Sequence, residues 1–382
     1  MQNNHSHGSC ASFARPRVNK FAGGAMVAVM LTSPAFADTV TNLAYPSLPT
    51  SWSFFNGSAG TSPTVAPDGT MTGVVVDASG TGGGIMSGAK FPVTAGTVYT
   101  SSKYLRVSNG DPNLQVCIGK SAFGKRDPRH CLTFNGLTGA FISLDPLLAD
   151  YAIAPIAQTG WWRASVTFKP TSTANANLGD FSATTGIFEV WGEQLETGQY
   201  QSKLVPTTDG PASAVNQLNP NADSANGLWT ATNGGASQVT GRAGGPLPAW
   251  KFVPGSGSEI NGISTTIVAS SDAAPVYYYF YVGNSSNFTM NINQYITNAI
   301  CNATINYMGG QIYAQNIPVS PEGNSPFTYG EFNAGEFEVV WVALACPLSP
   351  PYNQISMSAT LGAAYVQNIT LGRVGIQTGL FP

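Results

Sequence analysis

The sequence predicts an all-β fold of two tandem jelly-roll β-sandwich domains behind a signal peptide, and three features carry that expectation. First, 43 Gly and 26 Pro occur among 382 residues while only 9% are charged, a composition that favours many short elements joined by turns over long solvated helices. Second, apolar and polar residues alternate: Trp162, Ala164, Val166 and Phe168 share one face, Arg163, Ser165, Thr167 and Lys169 the other, and Pro170 ends the run. That is the period of a half-buried strand. Third, the pattern recurs in both halves. Leu114, Val116 and Ile118 alternate with Gln115 and Cys117 after an Asn109-Gly110 turn, and Phe337, Val339, Trp341 and Ala343 repeat it. Short strands between Gly, Asn and Pro turns are the mark of a sandwich. The segment with most helical character, Leu147 to Ile156, is bracketed by Pro146 and Pro155, which limits a helix there to a turn or two.

The order of elements begins with a processing signal. Arg15, Arg17 and Lys20 precede an apolar run, Phe21 to Leu31, and Ala35-Phe36-Ala37 follows before Asp38. Charged, apolar and small-residue regions in that order read as a signal peptide over residues 1–37, cleaved after Ala37. No other stretch reaches the ~18 apolar residues a membrane span needs, so a secreted protein without a membrane span is expected. The first sandwich is then residues 38–205. A Pro, Thr and Ser-rich linker occupies 206–213, and the second sandwich is 214–382. The halves echo each other: Asn42-Leu43-Ala44-Tyr45-Pro46 with Trp52 beyond is matched by Gln217-Leu218-Asn219-Pro220 with Trp229 beyond.

Cysteine usage agrees with export. Outside the signal peptide four cysteines remain, Cys117, Cys131, Cys301 and Cys346, two in each half. Four cysteines allow three connectivities; the simplest pairs Cys117 with Cys131 and Cys301 with Cys346, one bridge per domain. A zinc site would show closer cysteine pairs and more histidine, and His130 is the only histidine beyond the signal peptide. The formal net charge of -3 gives no basic surface for phosphate backbones, so nucleic acid is excluded as a partner.

Candidate sites are few. Between Cys117 and Cys131, Lys125, Arg126 and Arg129 form a basic loop able to hold an anionic sugar or surface. In the second half Tyr277, Tyr279 and Tyr281 fall on one strand face and Tyr278, Phe280 and Val282 on the other. The second set is the more apolar and is placed in the core, which leaves the three tyrosines as an exposed ladder whose rings could stack on successive sugars; the opposite assignment exposes Tyr278 and Phe280 instead. A Ser-His-Asp arrangement finds no nucleophile motif beside His130. Two carboxylates, Glu189 and Glu193, flank Trp191 and would share a face of a regular strand, the minimum for glycoside hydrolysis.

Three further segments carry a resemblance. Tyr99-Thr100-Ser101-Ser102-Lys103-Tyr104-Leu105-Arg106, Gly160-Trp161-Trp162-Arg163, and Phe188-Glu189-Val190-Trp191-Gly192-Glu193-Gln194-Leu195-Glu196 with Leu204-Val205-Pro206-Thr207-Thr208 resemble the jelly-roll, carbohydrate-binding-like module of bacteriophage tail and head-fibre proteins and bacterial surface proteins. The module is similar to family 4, 9 and 22 carbohydrate-binding modules. The resemblance is strongest over residues 38–210. It implies a non-catalytic protein that binds polysaccharide or a cell-surface glycan, with Trp161 at the ligand and no cofactor beyond a structural calcium whose ligands it does not specify. It equally admits a structural or adhesive fibre-like protein that assembles as a homo-oligomer.

Overall fold

A computed structural model describes residues 38–49, 52–60, 62–78, 84–86, 90–124, 129–156, 159–182, 186–216, 230–261, 265–266, 276–283, 288–296, 299–308, 311–315, 327–344, 354–360 and 369–378. The expected signal peptide lies outside them. The described chain is all-β: its regular elements are strands and two short 3₁₀ turns, and every strand pairing is antiparallel.

The first half contributes β1 (Asp38–Asn42), β2 (Ser53–Phe55), β3 (Ser58–Ala59), β4 (Val74–Ala78), β5 (Gly84–Met86), β6 (Phe91–Val93), β7 (Tyr99–Gly110) and β8 (Asn113–Gly119). It continues with β9 (Arg129–Asn135), β10 (Phe141–Leu144), β11 (Leu148–Pro155), β12 (Trp162–Phe168), β13 (Ala174–Ala176), β14 (Leu178–Ser182) and β15 (Gly186–Thr197). Two six-stranded sheets result, an outer sheet ordered β10-β9-β8-β14-β5-β2 and an inner sheet ordered β11-β12-β7-β15-β4-β3. Between them lies the core expected from the alternation: Leu114, Val116, Ile118, Leu132 and Phe134 from one sheet meet Leu105, Ala164, Val166, Phe168 and Val190 from the other. Cys117 and Cys131 sit opposite each other on β8 and β9 and are joined by a disulfide closing a separation of 14 residues, worth about 3 kcal/mol in the chain-entropy account.

Leu148–Pro155 is a strand, not a helical turn. Tyr151 pairs with Val166 and Ile153 with Ala164, so Tyr151 and Ile153 enter the core while Ala152 and Ala154 face the other way. Alanine is indifferent to the choice, and the strand partner decides it.

The segment after β15 is tied down rather than free. Thr207 donates its N–H to Ser47 Oγ at 2.8 Å and its hydroxyl to the Ala44 carbonyl at 2.6 Å, and β16 (Ala212–Asn216) pairs along β1. Asn42 anchors the same strap: its amide donates to the carbonyls of Glu193 and Val205 and accepts from the N–H groups of Ala44 and Leu195. All its hydrogen-bonding capacity on the folded side is used, which is what a buried amide requires.

The second half contributes β17 (Thr230–Val239), β18 (Ala249–Asn261), β19 (Thr265–Thr266), β20 (Val276–Gly283), β21 (Phe288–Ile296) and β22 (Ala299–Met308). After these come β23 (Gln311–Gln315), β24 (Phe327–Ala334), β25 (Phe337–Leu344), β26 (Gln354–Thr360) and β27 (Ile369–Thr378). They form one 11-stranded sheet. Strand β18 is its joint: Trp250 to Phe252 pair with β27, while Glu259 to Asn261 pair with β26.

In the inner sheet of the first half, strands β11 and β12 are buried on both faces. The sheet's second face meets the second half in a cluster of Ala152, Ala154, Tyr200, Tyr279, Tyr281, Phe332 and Val339. Arg163, Ser165 and Thr167, expected to face water, are therefore fully buried; a two-residue period reports two faces, not which of them is wet.

Candidate functional site

Most residues singled out from the sequence turn out to be structural. Tyr279 and Tyr281 are buried, and Tyr277 is half-buried against Trp341 at a ring separation of 5.8 Å. Tyr278, Phe280 and Val282 are fully buried as expected of the core set. There is no exposed tyrosine ladder, because β20 runs between β27 and β25 with one of its faces turned to the first half. Tyr281 meets Tyr200 there at 4.7 Å. Trp161 is buried as well, its indole N–H donating to the Val65 carbonyl at 3.1 Å and its ring covered by the Arg106 guanidinium at 4.9 Å. Aromatic density marked the interior, where such side chains contribute most.

The two carboxylates do not face each other. Glu189 accepts bonds from Arg106, Thr64 and Ser108 on the outward side of the inner sheet. Glu193 points into the sandwich, where Lys103 approaches it at 3.2 Å, both side chains fully buried. The switch of face comes from a bulge between Trp191 and Gln194. Gly192 there has φ +59°, and a Cβ would stand 2.9 Å from both Tyr104 and Leu204, so only glycine fits. Burial raises the Glu193 pKa above its ordinary value, with Lys103 opposing.

His130 also turns inward, 4.7 Å from the Phe123 ring, with Nδ1 3.1 Å from Asp145 Oδ2. Lys125 and Arg126 lie outside the described residues, as does Cys346; Cys301 is placed on β22 by its backbone alone. Arg129 is half-buried on β9, and burial lowers its pKa from the ordinary value. By alternation it shares the outward face with Cys131 and Thr133, since His130, Leu132 and Phe134 point inward.

That outward face is exposed at its two ends and closed toward its centre, where Gly84, Thr133, Cys117 and Gly179 are buried. Strand register places Phe55, Gly84, Phe181, Gln115, Thr133 and Ser143 in one row across all six strands of the outer sheet. Phe55 is 47% exposed. Gln115 is half-buried and donates its amide to Thr133 Oγ1 at 3.1 Å. The next row holds Ser53, Met86, Gly179, Cys117 and Cys131, so the disulfide stiffens the centre of the face. Five strand spacings make the row about 24 Å long. Gln115 was visible in the sequence as the polar member of the β8 alternation. Phe55 was not, because the short Ser53-Phe54-Phe55 strand shows no alternation. Among the described residues no three His, Cys, Asp or Glu side chains gather as a metal site.

No family model matches the chain, and no curated protein matches it. Among solved structures, the chain matches the N-terminal CBM22-1–CBM22-2 tandem domain from Paenibacillus barcinonensis Xyn10C. It has 9% identity and a TM-score of 0.29, over 90% of this chain and 98% of that one.

Proposed function

We propose that the protein is a secreted, non-catalytic binder of polysaccharide at the cell surface or outside it, and that the ligand lies along the outward face of the outer sheet. The observation that carries this reading is the row from Phe55 to Ser143: an exposed ring at one end, the half-buried Gln115 amide within it, and an exposed hydroxyl at the other end. Sugars present C–H patches that stack on a ring and hydroxyls that need fixed polar partners. A row of about 24 Å suits a polymer better than a single small molecule. Arg129, half-buried on the same face, adds a cation to it.

A second reading, a structural or adhesive protein assembling with copies of itself, is favoured by the exposed Leu137 and Ile142 around the β9–β10 hairpin, 65% and 47% exposed, beside the sheet edge. Affinity electrophoresis against neutral β-linked glucan, xylan and mannan separates the two. Retardation by at least one polymer, weakened about tenfold or more by Phe55→Ala and less by Gln115→Ala, supports the first reading. Oligomers that form without any polymer affinity move the assignment to the second.

A further inference from the structure

We infer that the cleft between the two halves is a second glycan subsite, one that takes an acidic sugar residue by its carboxylate; the inference rests on the polysaccharide reading and adds to it a charge preference and a second place of contact. The cleft has a volume of about 580 Å³, within the range of about 300–1,000 Å³ typical of small-molecule sites. It lies where the β6–β7 turn, with Gly96 and Thr97, and the end of β15, with Thr197 and Gly198, face the loop Gly244 to Leu247, with Lys169 at its margin.

The walls are preformed. The Gln199 amide clamps Leu247 from both sides, donating to its carbonyl at 2.6 Å and accepting its N–H at 3.1 Å. A Cβ on Gly245 would fall 2.0 Å from Gln199 Oε1, so the loop's approach depends on glycine. Little ordering is left for a ligand to impose.

The distribution of donors and acceptors selects the ligand. The backbone N–H groups lining the cleft are turned inward and used: Gly96 donates to Pro170, Thr97 to Thr94, Gly198 to Val98, Gly244 to Gly241 and Gly245 to Arg242. The carbonyls of Gly96, Gly244 and Gly245 accept no hydrogen bond from the described residues. The cleft therefore offers acceptors from its backbone, and its donors are the Thr97 and Thr197 hydroxyls and the Lys169 ammonium, which has no ion-pair partner among the described residues. A ligand that fits brings hydroxyls for the carbonyls and an anionic oxygen for Lys169. A hexuronic acid residue has both on one ring. In a chain with a formal net charge of -3, an unopposed cation at a concave margin is also where an anionic group is concentrated.

The test compares polygalacturonate with its methyl ester, which keeps the ring and removes the charge, by titration calorimetry on the full secreted chain at low salt. Wild type should bind the acid form about fivefold to tenfold more tightly than the ester. Lys169→Met should abolish that preference and Lys169→Arg should keep most of it. Equal affinity for both polymers, or a preference that survives in Lys169→Met, overturns the inference, as does failure of wild type to bind either. Neutral polymers measured alongside tell the two readings apart: if they bind and depend on Phe55, the open-face reading stands and the cleft alone fails; if nothing binds, both fall.

Discussion

Arg242→Met should loosen the junction between the two halves at a cost that can be worked from its contacts. Arg242 is fully buried on a short turn after β17. Its Nε lies 2.8 Å from Asp150 Oδ2. The other nitrogens donate to the Tyr151 carbonyl at 2.7 Å, to Thr167 Oγ1 at 3.3 Å and to the Gln199 carbonyl. These four partners belong to the first half, and Nε also donates to the Ala334 carbonyl of the second half at 3.4 Å. Methionine replaces much of the stem but leaves the Asp150 carboxylate buried without its cation, a loss of about 3–5 kcal/mol, against a total stability of about 5–15 kcal/mol for an ordinary domain. Burial already raises the Asp150 pKa and Arg242 opposes the rise; without the guanidinium the carboxyl takes up a proton more readily. A carboxyl with a raised folded pKa contributes stability that is full below its unfolded value and lost as pH climbs through the folded one. The deficit of the variant should thus be smaller at about pH 5 than at about pH 8, and Arg242→Met with Asp150→Asn should recover part of it. Urea unfolding followed by tryptophan fluorescence measures each quantity. A loss under about 1 kcal/mol at both pH values would show that the buried ion pair does not hold the junction.

Three other outcomes follow from the same geometry. Because burial raises the Glu193 pKa above its ordinary 4.5, its contribution is full below that value and lost as pH rises, so thermal melts should show a falling midpoint above about pH 5 with a shallower slope in Glu193→Gln; parallel slopes would remove Glu193 as the cause. Tyr279→Ala, in a buried aromatic cluster, should cost about 3–5 kcal/mol of stability with no separate loss of affinity in the fraction that stays folded, as judged by denaturant titration beside a binding assay. Protein recovered from the medium should begin at Asp38, and Edman sequencing that returns Met1 would refute the signal peptide.

The strands were more legible than their surroundings. Leu114, Val116 and Ile118 enter the core as their alternation predicts, and the spacing of Cys117 and Cys131 anticipates the bridge across β8 and β9. What the pattern could not convey is which sheets would be covered twice. Arg163, Ser165 and Thr167 have the composition of a wet face, yet the second half closes over it. The buried charges tell the same story: Glu193 meets Lys103 in the interior because a bulge at Gly192 reverses the side-chain order of its strand, and one glycine in a strand of polar and apolar residues gives no reading of that on its own.

The candidate site was less legible for a related reason. Aromatic alternation selects Tyr279 and Tyr281 and the resemblance adds Trp161, and these rings are large enough that the fold uses them first to seal its own interfaces. The surface that remains is the outward face of the outer sheet, exposed at Phe55 and Ser143. Its members, Phe55, Gln115, Thr133 and Ser143, come from four strands spread along much of the first half, and only register brings them into line. Burial of the ladder therefore does not argue against a polymer ligand. Under the proposed function the ligand lies on a more polar surface, where the exposed Phe55 ring would anchor the chain and hydrogen bonds would choose among sugars. Binding there should be more sensitive to the pattern of hydroxyl groups than an aromatic ladder would be.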